Sequence, residues 1–194
     1  MAKPLPLDEQ IKSAAMLAVR ARVHCGLWWT TASAAGRALF HDALDEHWGA
    51  WRFVEHAQFL AFMVTTHNLY GDRRGTIRFK ELSRQLGGVA ADLVAEAQPL
   101  ADKVRHFRDE LFAHRTDKLS YGEVFKRGSI SGNEMIRLAD LSVTIAAAML
   151  EARGLPAQPA DDLSVGEMAR ILAALQRQYE GDEQARRESP DQPG

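Results

Sequence analysis

This chain of 194 residues has a single cysteine, no long apolar run and no large excess of one charge. The only cysteine, Cys25, excludes an internal disulfide and favours a reducing compartment. No apolar run approaches the roughly 18 residues of a membrane-spanning helix, and residues 1–10 lack the basic and apolar segments of a signal peptide. We therefore expect a cytoplasmic protein that makes no contact with a membrane.

The two signs of charge nearly balance, since the net charge is −2 and the pI is about 6.4. Proteins that coat nucleic acid through charge alone are usually more basic, so any contact with RNA is expected to be local. Residues 72–84 and 103–127 are locally basic. Because such runs are also typical of solvated helix faces, the sequence leaves both interpretations open.

Helical spacing of apolar residues is abundant, whereas no strand-like alternation persists along the chain. Hydrophobic residues make up 46% of the sequence, which is enough for one core. We predict an all-α fold, a bundle of about five to six helices in one domain over residues 1–180. A disordered polar tail is expected over residues 181–194.

Local signals set the predicted ends of these helices. The approximate bounds are Leu7 or Asp8 onward, 42–70, 77–86, 93–119, 133–153 and Ser164 onward. Gly26 is predicted to end or bend the first helix, and Gly71 to end the second. Pro99 predicts a kink or a break near residue 98. Ser164 with Glu167 forms a capping-box pattern for the last helix.

The fourth predicted helix carries the residues best suited to chemistry. Its apolar or small residues follow heptad-like steps of four and three, at Leu93, Ala97, Leu100, Val104, Phe107 and Leu111. The next step falls on His114. An ionisable group on a core-facing seam is either satisfied by a partner or used for chemistry.

The segment from Arg108 through Asp109 to His114 resembles the signature of the HEPN superfamily. That signature is an arginine, then a polar residue, then a histidine several positions later, and five residues intervene here. The Ala113-His114 pair followed by Arg115, and the stretch 59–86, resemble the AbiU-like branch of abortive-infection proteins. The resemblance covers roughly residues 40–150.

This resemblance implies a HEPN-like fold and a metal-independent endoribonuclease without a cofactor, serving in toxin–antitoxin or phage-defence systems beside a protein partner. His114 would be the general base or acid, since an imidazole pKa of about 6.5 suits that role. Arg108 would bind the scissile phosphate. Asp109 would orient one of these groups or contact RNA, and Arg105 and Arg115 are further candidates for substrate binding.

The spacing of the two central residues sets a geometric condition. On one ideal helix Arg108 and His114 lie roughly 120° apart in rotation and about 9 Å apart along the axis. The resemblance implies a two-fold homodimer in which both motifs line one cleft. The alternative is a non-catalytic helical module that binds a nucleotide, an RNA or a protein through the same cleft.

Two other constellations compete with this interpretation. A row of residues spaced four apart resembles metal ligands in a helical bundle, at Asp102, His106, Glu110 and His114, with further histidines at positions 24, 47, 56 and 67. No Glu-x-x-His pair supports it. The second constellation is a set of four tryptophans, Trp28, Trp29, Trp48 and Trp51. They could stack bases, but tryptophans at helical spacing more often belong to a core or a dimer interface. Cys25 is expected to be a small buried hydrophobe.

Overall fold

The computed structural model describes residues 5–71, 76–113, 130–159 and 163–188, and within them it contains eight helices and no strand. The helices are α1 Leu7–Ala32, α2 Ala34–Leu39, α3 His41–Glu46, α4 Trp48–Tyr70, α5 Phe79–Gln85, α6 Ala91–Ala113, α7 Gly132–Ala152 and α8 Leu163–Glu188. The all-α prediction is confirmed, with more helices than expected. None of them is both long enough and apolar enough to cross a membrane.

Helix α1 forms the centre of the bundle and packs most extensively against α4 and α7. The predicted apolar stripe is buried as expected and is made mostly of alanines, at Ile11, Ala14, Ala15, Ala18, Ala21 and Cys25. Small side chains allow the neighbouring helices to approach closely. Burial raises the pKa of the Cys25 thiol to about 12, so the thiol is protonated at neutral pH, as a buried hydrophobe would be.

The helix continues through Gly26 instead of ending or bending there. A Cβ atom at Gly26 would lie 2.8 Å from a methyl carbon of Val165 on α8. The glycine is therefore better explained by the close approach of α8 than by a helix stop.

The predicted second helix, residues 42–70, is divided into α3 and α4 at His47, and the short α2 was not predicted. The Ser33 hydroxyl caps α2 by accepting a hydrogen bond from Gly36 N–H at 2.9 Å. A residue far away in the sequence holds the break at His47. The Nε2 atom of His47 lies 2.8 Å from the hydroxyl of Tyr179 on α8. Gln176 of α8 also accepts from the Asp42 N–H at 3.0 Å, at the start of α3.

Helix α8 closes a second, smaller core in which Leu172 packs against Phe40 and Leu44. It starts at Leu163, so Ser164 lies inside the first turn instead of at the predicted cap position. It also extends to Glu188, past the predicted boundary at residue 180, since Glu, Gln, Ala and Arg dominate this stretch and favour helix. Residues 189–194 of the predicted tail lie outside the described residues.

Helix α6 runs from Ala91 to Ala113 with no break at Pro99. Pro99 is exposed, as is Ala95, so the carbonyl left without an N–H donor by the proline ring faces the solvated side of the helix. The buried stripe is Val94, Ala97, Ala101, Val104 and Phe107. It follows the predicted seam closely, although Leu93 and Leu100 lie at its edge and are only partly buried.

Helix α7 begins with a capping box between Ser131 and Glu134, a pattern present in the sequence but not used in the prediction. The Glu134 carboxylate also accepts from Lys103 Nζ of α6 at 2.6 Å. The Lys103 ammonium and then the Ser131 backbone N–H lower the pKa of Glu134 to about 2. This residue therefore ties the start of α7 to the middle of α6.

Candidate functional site

The last described turns of α6 carry three of the five predicted site residues. The side chain of Arg108 is 23% exposed and is paired with the carboxylate of its neighbour Asp109. The Arg108 Nε–H donates to Asp109 Oδ1 at 2.9 Å, and one terminal nitrogen donates to the same oxygen. Asp109 thus fixes the direction of the guanidinium.

Arg105 lies one turn earlier and also has an acidic neighbour. Its guanidinium is 3.2 Å from an Asp102 carboxylate oxygen. Asp102 also accepts from Gln98 at 3.1 Å. Each of the two arginines is therefore balanced by an aspartate on its own helix, and this face of α6 is only weakly basic.

His114 and Arg115 lie outside the described residues, which end in this region at Ala113. The structure therefore brings Arg105, Arg108 and Asp109 together on one helix and does not describe their relation to the predicted histidine. His114 follows directly on the last described residue of α6.

Phe107 fixes the turn that carries Arg108 against the rest of the bundle. It is fully buried and meets Phe59 of α4 edge to face, with ring centroids 5.4 Å apart. Phe59 in turn packs against Trp28 of α1 at 5.3 Å. These three rings connect the end of α6 to the surface formed by α1 and α4.

That surface contains a groove of about 800 Å³ between α1, α2 and α4. We call it the aromatic groove; it is lined by Trp28, Ala32, Arg37, Trp48, Gly49, Arg52, Phe53, Glu55, His56 and Phe59. Two of its aromatic residues are unusually open to solvent, Phe53 at 76% and Trp48 at 45% exposure. Large apolar side chains that stay exposed in the lining of a groove are typical of binding surfaces.

The charges of the aromatic groove are arranged around Trp48. The guanidinium carbons of Arg37 and Arg52 lie 5.8 and 5.6 Å from its ring centroid, within cation–π range. Arg37 also contacts both carboxylate oxygens of Glu55 at 3.3 and 3.4 Å. Burial raises the pKa of Glu55, against the opposing effect of Arg37. The groove thus combines an aromatic wall with a half-buried carboxylate.

A smaller cavity of about 240 Å³ adjoins the aromatic groove and shares four residues with it, Arg37, Trp48, Arg52 and Glu55. Trp51 lines this cavity, and its buried indole N–H has no acceptor among the residues that the structure describes. This buried donor belongs to the smaller cavity alone, since Trp51 does not line the aromatic groove.

The four tryptophans divide between the two interpretations that the sequence left open. Trp28 is buried, Trp29 packs against the main core, and Trp51 packs against the smaller one. Trp48 is exposed in the aromatic groove. The residues that sequence reasoning missed are Arg37, Arg52, Phe53 and Glu55. For Arg52 and Glu55 the only signal is their recurrence with Trp48 along one face of α4, and this pattern includes neither Arg37 nor Phe53.

Over the described ranges, no three histidine, cysteine or acidic side chains are grouped as a metal site requires. Two of the candidate histidines have other partners. His24 Nδ1 is 2.7 Å from Gln58, and His47 Nε2 bonds to Tyr179. In the proposed row of ligands, Asp102 pairs with Arg105, and His114 lies outside the described residues.

Comparison of the chain with protein-family models, with curated proteins and with solved structures gives no match. The HEPN assignment therefore stays a prediction from the sequence motif Arg108 to His114 and from the helical content of the chain.

Proposed function

We propose that this chain is a metal-independent endoribonuclease of the HEPN type. The single observation that supports it most directly is the Arg108–Asp109 pair on the last described turns of α6, in the motif that ends at His114. In the proposed reaction the ribose 2′-oxygen attacks the adjacent phosphorus and gives its proton to a base. The 5′-oxygen leaves with a proton, and the products carry a 2′,3′-cyclic phosphate and a 5′-hydroxyl.

Arg108 suits the phosphate-binding role in this reaction. A guanidinium has five N–H donors, and Asp109 engages only those of Nε and one terminal nitrogen. Among the residues that the structure describes, no other acceptor engages this guanidinium, so its remaining donors can bind the phosphoryl oxygens. Because the side chain is about three-quarters removed from solvent, its attraction to a phosphate is stronger than that of a fully hydrated arginine.

Positioning comes from the residues on either side of Arg108. Phe107 holds the backbone against Phe59 of α4, and Asp109 holds the guanidinium. A phosphate-binding group acts best when it is preorganised before the substrate arrives. Asp109 is therefore proposed as a positioning residue, with His114 as the group that moves the proton. A two-fold homodimer would supply a second copy of the motif to the same cleft.

The test is cleavage of single-stranded RNA in EDTA, with analysis of the ends. We expect 2′,3′-cyclic phosphate ends from the unaltered protein, and a fall in rate of about a hundredfold or more for Arg108→Ala and for His114→Ala. Arg137→Ala is the matched control, since this exposed arginine of α7 also pairs with a carboxylate, Glu96, at 2.7 Å. Cutting that survives both motif substitutions would contradict the proposal.

The second candidate is a non-catalytic module that binds a nucleotide, an RNA or a protein. The aromatic groove favours it, because the groove has the size and the aromatic lining of a ligand site and includes none of the motif residues. This candidate predicts binding without turnover. Cleavage of many RNA molecules per protein chain, lost on Arg108→Ala, would exclude it.

A further inference from the structure

We propose that the aromatic groove binds one nucleobase of a ribonucleotide and prefers guanine. The inference goes beyond the nuclease, since it concerns binding and holds with or without cleavage. It starts from four features of the groove wall: an exposed phenylalanine, an exposed tryptophan, a half-buried carboxylate and two guanidinium groups.

The size and the walls of the groove suit a flat ring. Ligand pockets are commonly about 300–1,000 Å³ in volume, and this one is about 800 Å³. Trp28 and Phe59 are buried residues of the lining, while Phe53 offers its ring to solvent. Every base has a π-face, so an exposed phenyl ring is a stacking platform for it. Stacking would also cover apolar surface that is otherwise in contact with water.

The charges of the groove exclude a cationic ligand. Aromatic walls with a carboxylate are typical of sites for quaternary ammonium ligands. Here Arg37 and Arg52 already lie over Trp48, so a cationic ligand would be repelled. Among the described residues Arg52 makes no direct ion pair, although its charge, after that of Arg37, helps to lower the pKa of Glu55 against the effect of burial. The site therefore favours a ligand that is aromatic and carries a negative group, as a nucleotide does.

The identity of the base follows from the Glu55 carboxylate. Its contacts with Arg37 are long, at 3.3 and 3.4 Å, and a carboxylate has about four lone-pair positions. Guanine presents two neighbouring N–H donors, at N1 and N2, on one edge. The corresponding edges of adenine, cytosine and uracil present one donor beside at least one acceptor, which a carboxylate repels. Glu55 thus discriminates in favour of guanine.

The phosphate has a place beside the same residues. Arg37 and Arg52 line both the groove and the small cavity that adjoins it, whose lining also includes the carboxylates of Asp45 and Glu55. A guanidinium can bind phosphate oxygens through two N–H donors at once. A base stacked on Phe53 would therefore have its phosphate on the side of Arg52.

The groove and the motif of α6 share one element. Phe59 lines the groove and also packs against Phe107, the residue before Arg108. If the proposed nuclease activity holds, the base in the groove belongs to the RNA strand that is cut, and this last step rests on the proposed function.

The test uses the full chain with Arg108→Ala, so that cleavage cannot obscure binding. Guanosine, adenosine, cytidine and uridine 5′-monophosphates are titrated separately while tryptophan fluorescence and binding heat are recorded. We expect saturable binding of the guanosine nucleotide at least about tenfold tighter than the others, the scale of one lost bidentate contact. Equal affinity for all four, or no saturable binding, would overturn the proposal.

Three further substitutions in that background identify the residues responsible. Phe53→Ala should weaken binding of every nucleotide about tenfold or more, since stacking is independent of the base. Glu55→Gln should remove the preference for guanine and leave the other affinities nearly unchanged. Val64→Ala is the matched control, because this residue is also exposed on α4 but does not line the groove; it should change nothing.

Measurement of the oligomeric state completes the test. If Phe53→Ala converts a dimer to a monomer in sedimentation analysis while no nucleotide binds the parent chain, the groove is a protein interface and the proposal is wrong. Every binding measurement is made on the Arg108→Ala chain, which is not expected to cut RNA. A failure of nucleotide binding is therefore distinguishable from a failure of the proposed nuclease activity.

Discussion

The end of α6 and the aromatic groove contain similar residue types in different arrangements. On α6, Arg105 and Arg108 each pair with an aspartate of the same helix. In the groove, two arginines lie over Trp48, and the carboxylate that one of them reaches belongs to another helix and is half-buried. These local pairs leave a weakly basic surface on which Asp109 orients the Arg108 guanidinium. The groove leaves aromatic surface exposed, and Arg52 lies over Trp48 without a direct ion pair to any residue that the structure describes.

This difference separates two kinds of evidence for function. The motif from Arg108 to His114 suggests a reaction, because its residue types and spacing resemble the HEPN signature, but none of its described residues lines the aromatic groove. The groove suggests a ligand, because it has volume and converging polar groups, but it holds no obvious nucleophile. The two regions meet at Phe59, and the following predictions test whether they depend on each other.

The largest effect is expected for Phe59→Ala, which removes the element common to both regions. Phe59 is 2% exposed and packs against Trp28 and Phe107. Truncation of a buried phenylalanine costs about 3–5 kcal/mol, from lost burial and from the cavity left behind. Urea unfolding followed by circular dichroism measures this loss.

Phe59→Leu is the matched control for that substitution, since it keeps most of the apolar volume while removing the ring contacts. It should cost clearly less stability than the alanine variant. A loss below about 1 kcal/mol for Phe59→Ala would show that the ring does not join the two regions.

A smaller and more local effect is expected for Gly36→Ala, which disturbs the groove and leaves α6 intact. A Cβ atom at Gly36 would lie 2.0 Å from the Thr30 carbonyl oxygen, so α2 must move away from α1. Arg37 is the next residue and would move with it. We expect a loss of about 1–3 kcal/mol and weaker nucleotide binding, measured by unfolding and by titration.

Gly166→Ala tests whether the steric explanation is correct. A Cβ at this helical glycine of α8 meets no atom within 4 Å. The better helix propensity of alanine should raise stability by up to about 1 kcal/mol. If Gly36→Ala also stabilised the protein, the close contact with Thr30 would not hold in solution, and the groove would be more adaptable than described.

The same contrast explains how much of the fold the sequence could predict. Three features depend on signals within a few residues of the sequence: the start of α1, its alanine stripe, and the end of α4 at Gly71. All three were predicted. The break at His47 was not, because it is held by Tyr179, 132 residues away in sequence. Propensity has no access to a partner at that distance.

In the candidate site, too, contacts between sequence neighbours were predictable and contacts between distant residues were not. The Arg108–Asp109 pair lies between sequence neighbours, so the motif alone placed the two residues together. The aromatic groove needs Trp28, Arg37 and Glu55 from three different helices, and each of these residue types is ordinary at its own helix position. The groove therefore becomes visible only after α1, α2 and α4 have packed.

The smallest effect is expected for Glu134, which holds α6 but does not touch the groove. Its folded-state pKa is about 2, below the ordinary 4.5, because of the Lys103 ammonium and the N-terminus of α7. A lowered pKa means that the contribution is complete above pH 4.5 and is lost as the pH falls toward 2. Glu134→Gln should cost about 1 kcal/mol at pH 7, as expected for a cap and a partly exposed ion pair.

The difference in stability between the unaltered chain and Glu134→Gln isolates this one carboxylate from all others that titrate in acid. Measured by urea unfolding, the difference should shrink steadily from pH 5 to pH 3, because glutamine imitates the neutral form of the acid. Nucleotide binding at pH 7 should be the same in both proteins, since the groove lies on α1, α2 and α4. A difference in stability that stays constant with pH would mean that the Lys103–Glu134 contact does not hold α6 in solution. A change in binding would mean that the bracing of α6 reaches the groove through Phe107 and Phe59.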